Sequence, residues 1–194
     1  MKQSAWRLLK TRHLPRALDG EGAASVGGRW NSSGVRVVYA SASLALAALE
    51  LLVRIGMSDQ PIGCSSIGIE FDESQMLHVN PAILSSNWRA SPSPPELRSV
   101  GDRWVAGKES LLLQVPSVII PTENNYLINP SHPDFGSLSV HPAVPFEFDP
   151  RLLARETRSS PPNELSLPAR GRIRTLTGRS GETRVLQHEP ARLV

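Results

Sequence analysis

The stretch VRVVYASASLALAALELLVRI, residues 35–55, joins a β-rich segment directly to a helical one. Residues 35–40 are rich in valine and follow turn-forming residues, which predicts a short strand. Residues 41–55 are mostly Ala and Leu without Gly or Pro, which predicts a helix. Ser41 or Ser43 is suited to cap its N-terminus, and Gly56 is suited to end it. The stretch therefore predicts a strand that leads straight into a helix.

Shorter patterns of both kinds follow in irregular order. Residues 67–71 alternate apolar with other side chains, as a strand with one buried face does. Residues 96–106 follow a proline pair and place apolar residues at helical spacing. Residues 111–120 predict a strand in which Pro116 marks a bulge, an end or an edge, because proline cannot donate to a ladder. Two more short strands are expected, at 125–128 and 146–148. This mixture predicts a single α+β domain rather than a repeated βαβ array.

The positive charge of the chain is concentrated at its C-terminal end. The formal net charge of the 194 residues is +3. Residues 1–153 contain 13 Lys and Arg against 14 Asp and Glu, whereas residues 154–194 contain 8 Arg and 4 Glu. The second segment has no aromatic residue for a core or for stacking on bases. We expect a folded domain over 1–153 and an Arg-rich, disordered tail over 154–194.

Composition also excludes several classes of protein. The longest apolar run, residues 44–53, is interrupted by Glu50 and closed by Arg54, so no membrane span is predicted. The first residues lack the apolar run of a secretory signal, and we expect a cytoplasmic protein. Cys64 is the single cysteine, so it forms no internal disulfide and is typical of a buried thiol. No Cys/His cluster has the spacing of a metal site.

A glycine pair precedes an arginine in the motif Gly27-Gly28-Arg29-Trp30-Asn31. Two glycines let a backbone approach a ligand closely, and a guanidinium is suited to a phosphate or pyrophosphate. The motif has neither the spacing of a dinucleotide-binding fingerprint nor that of a Walker A loop. An ordinary Gly-Gly turn with an exposed arginine is the alternative interpretation.

Glu50 interrupts an otherwise apolar run of helix residues. Burying an ionised carboxylate without a partner costs several kcal/mol, so Glu50 marks either a site in a cavity or a solvent-exposed stripe of the helix. Tyr39, taken alone, is typical of a half-buried core aromatic residue. Ser117 follows Pro116 in an apolar strand, where its hydroxyl needs a hydrogen-bond partner and a nearby backbone group is the simplest one.

The histidines and the second candidate serine carry weaker signals. None of the five histidines has paired metal-ligand spacing. Ser131 lies in the motif Asn-Pro-Ser-His-Pro, residues 129–133, which predicts a rigid loop. No Ser-centred nucleophile elbow is present.

In combination these segments resemble the RES-domain family, the toxins of RES–Xre toxin–antitoxin pairs. The resemblance covers nearly all of residues 6–153. It rests on the order and spacing of eight short motifs: Trp6-Arg7, GGRWN at 27–31, VYAS at 38–41, AALE at 47–50, GDRW at 101–104, VPS at 115–117, NPSHP at 129–133 and FDPRL at 148–152. Residues 154–194 receive no function from it.

The resemblance implies a set of site residues. The Arg, Glu and Ser for which the family is named fall on Arg29, Glu50 and Ser117, with Ser131 as the rival for the serine. The family's active-site tyrosine falls on Tyr39. The substrate-binding positions that the resemblance implies are Arg7, Trp30 and Asn31.

The resemblance also implies an activity and partners. Such proteins are similar in fold to the ADP-ribosyltransferase toxins and degrade NAD+ by hydrolysis or phosphorolysis, so NAD+ is a substrate and no cofactor is expected. The implied partner is an Xre-type helix-turn-helix antitoxin, and nucleic acid is contacted only through it. The alternatives are transfer of ADP-ribose to a macromolecule and a catalytically decayed or non-enzymatic binding module.

Overall fold

One β-sheet carries the domain, which a computed structural model describes over residues 1–55 and 61–153. Its strands are β1 (Lys2–Lys10), β2 (Val38–Ser41), β3 (Cys64–Asp72), β4 (Met76–His78), β5 (Leu112–Pro116), β6 (Asn124–Ile128), β7 (Ser139–Val140) and β8 (Val144–Phe146). The helices are α1 (Glu21–Val26), α2 (Leu44–Ile55), α3 (Pro95–Gly107) and α4 (Pro150–Leu153). Short 3-10 helices span Thr11–Arg16, Glu73–Gln75, Pro81–Ile83 and Pro133–Ser137.

The strands follow the order β4-β5-β6-β2-β1-β3-β7 across the sheet, and β8 also pairs with β3. The pairings are antiparallel except that of β4 with β5. β1 and β3 pair from Lys2↔Asp72 to Lys10↔Cys64, whereas β1 and β2 share the single pair Trp6↔Ser41. The sheet therefore opens between β1 and β2 after that pair. The expected α+β class is confirmed.

The predicted strand-to-helix connection is present, with both elements shifted towards the C-terminus. Ser41 belongs to β2, where it pairs with Trp6 and Asn125, so it is not available as a cap. Ser43 caps α2 instead, because its hydroxyl oxygen accepts the backbone N–H of Leu46 at 3.1 Å. The helix packs its buried face, Leu46, Ala47 and Leu51, against the sheet. Gly56, predicted to end the helix, lies outside the described residues.

α3 covers another part of the same sheet. Leu97 and Trp104 are buried with Trp30, Leu113 and Leu127 in one apolar cluster. Between them Gly101 faces the backbone of the GGRWN motif, where a Cβ would lie 2.8 Å from the carbonyl carbon of Trp30. The absence of a side chain at Gly101 therefore sets how closely α3 packs on this motif.

The other predicted elements agree with the structure to different degrees. The strands expected at 67–71 and 125–128 and the helix at 96–106 are present with slightly wider bounds. The strand expected over 111–120 ends at Pro116, one of the three situations expected for this proline, so the prediction of strand for residues 117–120 was wrong. The strand expected at 146–148 is β8, two residues earlier. β1 was not predicted.

Some expectations concern the class of protein rather than its elements. Within residues 1–55 and 61–153, no helix is long and apolar enough to cross a membrane. Cys64 is buried, as expected, and its thiol donates to the carbonyl of Pro61 at 3.3 Å. The predicted disordered tail, 154–194, lies outside the described residues, so it and the domain boundary stay predictions.

Candidate active site

A cleft of about 370 Å³ opens where β1 and β2 separate. Five residues assigned to the site from the sequence line it: Arg7, Arg29, Trp30, Tyr39 and Glu50. They come from β1, from the loop before β2, from β2 and from α2. The fold thus brings together side chains that are up to 43 positions apart in the chain, from Arg7 to Glu50.

Glu50 is held through one of its two carboxylate oxygens. Its Oε1 accepts a hydrogen bond from the amide nitrogen of Asn125 at 2.5 Å and from the hydroxyl of Ser117 at 3.1 Å. Oε2 has no hydrogen bond to the described part of the chain. A carboxylate bound in this way has a fixed orientation and one oxygen left for a ligand.

Ser117 is fully buried just after β5. Its oxygen accepts the backbone N–H groups of Ile119 and Ile120 at 3.1 and 3.2 Å, while its hydroxyl donates to Glu50. Ser131 is exposed and hydrogen-bonds Asn129 through its backbone N–H. Of the two candidate serines, the structure brings Ser117 to Glu50 and leaves Ser131 away from the cleft.

Tyr39 lines the cleft, and its hydroxyl is hydrogen-bonded to protein groups behind the cleft wall. The hydroxyl donates to Oδ1 of Asn31 at 2.8 Å and accepts the backbone N–H of Trp30 at 3.2 Å. Burial raises the pKa of Tyr39 to about 12, with the Trp30 N–H opposing the shift. Tyr39 is therefore a neutral phenol at physiological pH, and its ring rather than its hydroxyl is available to a ligand.

Asn31 is fully buried behind Tyr39. Its amide nitrogen donates to three backbone carbonyls, those of Ala23, Ser32 and Val35. These bonds tie the motif to α1 and to the loop that leads into β2. The contacts give Asn31 a supporting position behind the cleft, and its assignment to substrate binding stays a prediction.

The glycine pair of the motif makes this arrangement sterically allowed. Gly27 has a φ of +76°, which non-glycine residues rarely adopt. A Cβ on Gly28 would lie 2.5 Å from the Tyr39 hydroxyl and 2.7 Å from Oδ1 of Asn31. Gly28 lines the cleft, and it is also the residue whose backbone approaches the Tyr39–Asn31 hydrogen bond, which leaves no room for a side chain.

Arg29 lines the cleft and donates hydrogen bonds to a loop that precedes α3. Its Nη1 donates to the carbonyl of Trp88 at 2.6 Å and its Nη2 to that of Ala90 at 3.1 Å. Burial lowers the pKa of Arg29, and the negative charge of Glu50 opposes the shift. A guanidinium has five N–H donors, so those that the carbonyls leave unused remain available for an anionic ligand.

Arg7 lies at the opening between β1 and β2. Its Nη1 donates to the carbonyl of Tyr39 at 2.6 Å, but its buried Nε has no hydrogen-bond partner among the described residues. Burial, and then the charge of Arg54, lower the pKa of Arg7 to about 10. An anion next to Arg7 and Arg54 would supply the missing acceptor and offset the repulsion between the two cations.

Two polar residues of the cleft, Arg54 and Asn125, were missed by the sequence analysis. Arg54 follows Glu50 by one helical turn, so it shares a helix face with it, and this spacing was a usable signal. Asn125 begins the predicted strand 125–128, and no local pattern connects it with Glu50, 75 positions earlier.

A small α+β domain whose cleft combines three arginines with one anchored carboxylate has the charges expected of a protein that binds an anionic ligand. The comparisons with known proteins make the class specific. The RES domain model matches residues 4–149, and the chain belongs to the RES domain family. The family inferred from the sequence motifs is confirmed.

Curated relatives in this family are named as toxins. "Toxin Res" of Yersinia enterocolitica is 39% identical over 149 residues, which cover 76% of this chain and 97% of that protein. The "Prs ADP-ribosylating toxin" of a Sphingobium strain is 36% identical over 160 residues, which cover 80% of this chain and 99% of that protein.

A solved structure has the same fold. It is the Mycobacterium tuberculosis MbcT–MbcA toxin–antitoxin complex, with a TM-score of 0.63 and 17% identity over 78% of this chain and 87% of that chain. At this identity the likeness concerns the fold. The expected α+β fold agrees with this likeness, and the similarity to the ADP-ribosyltransferase toxins stays an implication of the sequence resemblance.

Proposed function

We propose that this protein is a toxin that consumes NAD+ by breaking the bond between nicotinamide and its ribose, and that an antitoxin neutralises it. The observation that carries the proposal is the anchored carboxylate of Glu50, with Oε2 left for a ligand, in one cleft with Arg7 and Arg29. These charges match a dinucleotide such as NAD+. Its negative pyrophosphate suits the arginines, and the positive charge at its nicotinamide–ribose bond suits the carboxylate.

Different residues of the site bind the substrate and take part in the cleavage. Arg29 binds the pyrophosphate through its remaining N–H donors. The ring of Tyr39 packs on or beside the nicotinamide or its ribose. Oε2 of Glu50 hydrogen-bonds a ribose hydroxyl and stabilises the positive charge that develops at the anomeric carbon, as carboxylates do in glycoside cleavage. Ser117 keeps Glu50 in this orientation.

The acceptor then completes the reaction. The bond between the anomeric carbon and the pyridinium nitrogen breaks, and nicotinamide leaves as a neutral molecule with the electron pair. Water or phosphate forms the new C–O bond; water gives free ADP-ribose and releases a proton, and phosphate gives ADP-ribose-1″-phosphate. In this proposal Arg7 and Arg54 hold the phosphate, which is supported by their position in the lining of the cleft and by the Nε of Arg7, which has no partner in the described part of the chain.

A third acceptor, a macromolecule, is favoured by the name of one relative. The Sphingobium protein is named an ADP-ribosylating toxin, and the same bond cleavage followed by attack of a macromolecular nucleophile would transfer ADP-ribose. This hypothesis uses the same site and differs only in what attacks the anomeric carbon.

The proposal extends to the partner and the location. The MbcT toxin of similar fold was solved with its antitoxin MbcA, which supports an antitoxin partner here. The Xre type of that partner comes from the sequence resemblance alone. NAD+ is a substrate in this proposal and not a recycled cofactor, and a cytoplasmic location follows from the intracellular pool of this substrate.

The test separates the three acceptors. Purified full-length protein is incubated with NAD+ in the presence and absence of inorganic phosphate, and the products are resolved by mass spectrometry. Phosphate-dependent ADP-ribose-1″-phosphate identifies a phosphorylase, and free ADP-ribose without phosphate identifies a glycohydrolase. Radiolabelled NAD+ added to a cell extract leaves label on a macromolecule only for a transferase. Intact NAD+ in every arm contradicts the proposal.

The non-enzymatic alternative is tested in parallel. Removing residues 154–194 leaves the cleft residues in place, so NAD+ consumption is expected to survive. Salt-sensitive binding of nucleic acid that disappears with the tail, without any NAD+ consumption, would support a binding module instead.

A further inference from the structure

We propose that Asn125 is a positioning residue for Glu50 and that Ser41 sets the orientation of its amide. The inference rests on the proposed function, because it gives Asn125 a part in the turnover that depends on Glu50. Neither Asn125 nor Ser41 belongs to the Arg, Glu, Ser and Tyr positions implied by the sequence resemblance.

The three side chains form a continuous chain of hydrogen bonds. The hydroxyl of Ser41 donates to Oδ1 of Asn125 at 2.7 Å, and Nδ2 of Asn125 donates to Oε1 of Glu50 at 2.5 Å. An ionised carboxylate only accepts hydrogen bonds, so the amide nitrogen has to face Glu50. The Ser41 hydroxyl is consistent with that orientation, since it donates to the amide oxygen.

The anchor for this chain is the sheet itself. Ser41 is the last residue of β2 and its Cα is paired directly with that of Asn125 in β6. Ser41 is buried, and Asn125 lines the cleft. Side chains opposite each other on paired strands lie in direct contact. Glu50, which lies on α2, is thereby connected to the central strands of the sheet.

Asn125 and Ser117 have different parts in holding Glu50. Both donate to Oε1, but Ser117 lies in the loop after β5 and also accepts two backbone N–H groups, whereas the amide of Asn125 connects Glu50 to β2. Both donors bind Oε1, and together they fix the orientation of the carboxylate and therefore the position of Oε2. Loss of the Asn125 amide leaves Glu50 with one donor, and a small displacement of a catalytic group lowers turnover steeply.

Replacing Asn125 by Asp gives a readout that a general packing role does not produce. Two carboxylates at hydrogen-bond distance share one proton and lose it only at raised pH. At mildly acidic pH the carboxyl group introduced by Asn125→Asp is protonated, and it would still donate to Glu50. As pH rises and the shared proton leaves, the donor becomes a repelling charge, and activity falls.

The experiment measures nicotinamide release at saturating and limiting NAD+ over a range of pH. Asn125→Ala is expected to lower kcat by roughly 10- to 100-fold with little change in KM, since the misplaced group is a catalytic one. Asn125→Asp is expected to be active at mildly acidic pH and to lose activity as pH rises, and no such descending limb is expected of the wild type. Ser41→Ala is expected to lower kcat less than Asn125→Ala.

The neighbouring Asn124 provides the matched control. It lies on the same strand, does not line the cleft and makes no side-chain hydrogen bond with the described residues. Asn124→Asp and Asn124→Ala are expected to keep the wild-type kcat and pH profile. Thermal unfolding of all variants verifies that they are folded.

The outcomes separate this inference from the proposed function. If the wild type is active, either of two results overturns the positioning role and leaves the proposed function intact. One is an unchanged kcat in Asn125→Ala, and the other is an unchanged pH profile in Asn125→Asp. A wild type that releases no nicotinamide overturns the proposed function, and the positioning role with it.

Discussion

Substituting Gly101 by Ala in α3 tests how the fold fixes the arginine-bearing motif. Helix propensity alone predicts that this change stabilises the helix by about 1 kcal/mol. The structure predicts the opposite sign, because a Cβ on Gly101 would lie 2.8 Å from the carbonyl carbon of Trp30 and closer still to its oxygen. Ordinary carbon contacts begin at about 3.5 Å, and the carbonyl oxygen is the limiting contact, so helix and motif have to separate by at least about 1 Å.

The size of the effect follows from these opposing contributions. Overpacking against a backbone that cannot rotate away costs about 3 kcal/mol, which leaves a net destabilisation of about 2 kcal/mol. For a chain of this size that corresponds to a Tm lower by roughly 4–8 °C. Arg29 precedes Trp30 directly, so a displacement of about 1 Å in this backbone is also expected to reduce activity by roughly 100-fold.

The assay is thermal unfolding of Gly101→Ala beside Gly107→Ala. Gly107 is the last residue of α3, and a Cβ there would meet only the flexible side chain of Glu109, at 3.4 Å. The control is expected to have a Tm equal to or slightly above that of the wild type. A Gly101→Ala variant as stable as the control would refute the packing argument.

Three further predictions concern hydrogen bonds and charge. Tyr39→Phe leaves buried polar groups of Asn31 and Trp30 without partners, so urea unfolding should show a loss of about 1–3 kcal/mol, and unchanged stability would contradict it. Inorganic phosphate, compared with chloride at equal ionic strength, should raise the Tm of the wild type but not of Arg7→Met, whereas equal shifts in both would exclude Arg7 from anion binding. The hydrogen bonds from Ser74 lower the pKa of Asp72 below its ordinary value of 3.8. The ionised Asp72 therefore stabilises the fold above pH 3.8, and this stabilisation is lost as pH falls through the pKa of the folded state. Asp72→Asn should therefore lose less stability than the wild type on acidification, as measured by the denaturation midpoint at each pH.

The parts of the fold that the sequence predicted are those with local causes. The strand and helix of residues 35–55 follow from propensity and from the spacing of apolar residues. The missing N–H of Pro116 limited this residue to a bulge, an end or an edge, of which the structure has the end. β1 was missed because its buried positions do not alternate regularly. Its partner strand β3 lies more than 50 positions later, and no local pattern carries that pairing.

The residues of the candidate site also fall into those that local sequence predicts and those that only the folded chain brings together. Arg29 and Glu50 were selected from local chemistry, a guanidinium after two glycines and a carboxylate in an apolar helix. The resemblance to a known family then supplied Arg7, Tyr39 and Ser117. Asn125 was not selected, because its importance arises from cross-strand pairing with Ser41 and from a contact with Glu50 that exists only in the folded chain.

Release of nicotinamide is the measurement that tests the central claim most directly, because transfer to water, to phosphate or to a macromolecule breaks the same bond. Wild type, Glu50→Gln and the control Glu123→Gln, a carboxylate outside the cleft, are incubated with NAD+ and phosphate, and nicotinamide is quantified by chromatography. We predict release by the wild type and by Glu123→Gln, and none by a folded Glu50→Gln. Equal release by Glu50→Gln, or none by the wild type, would contradict the account.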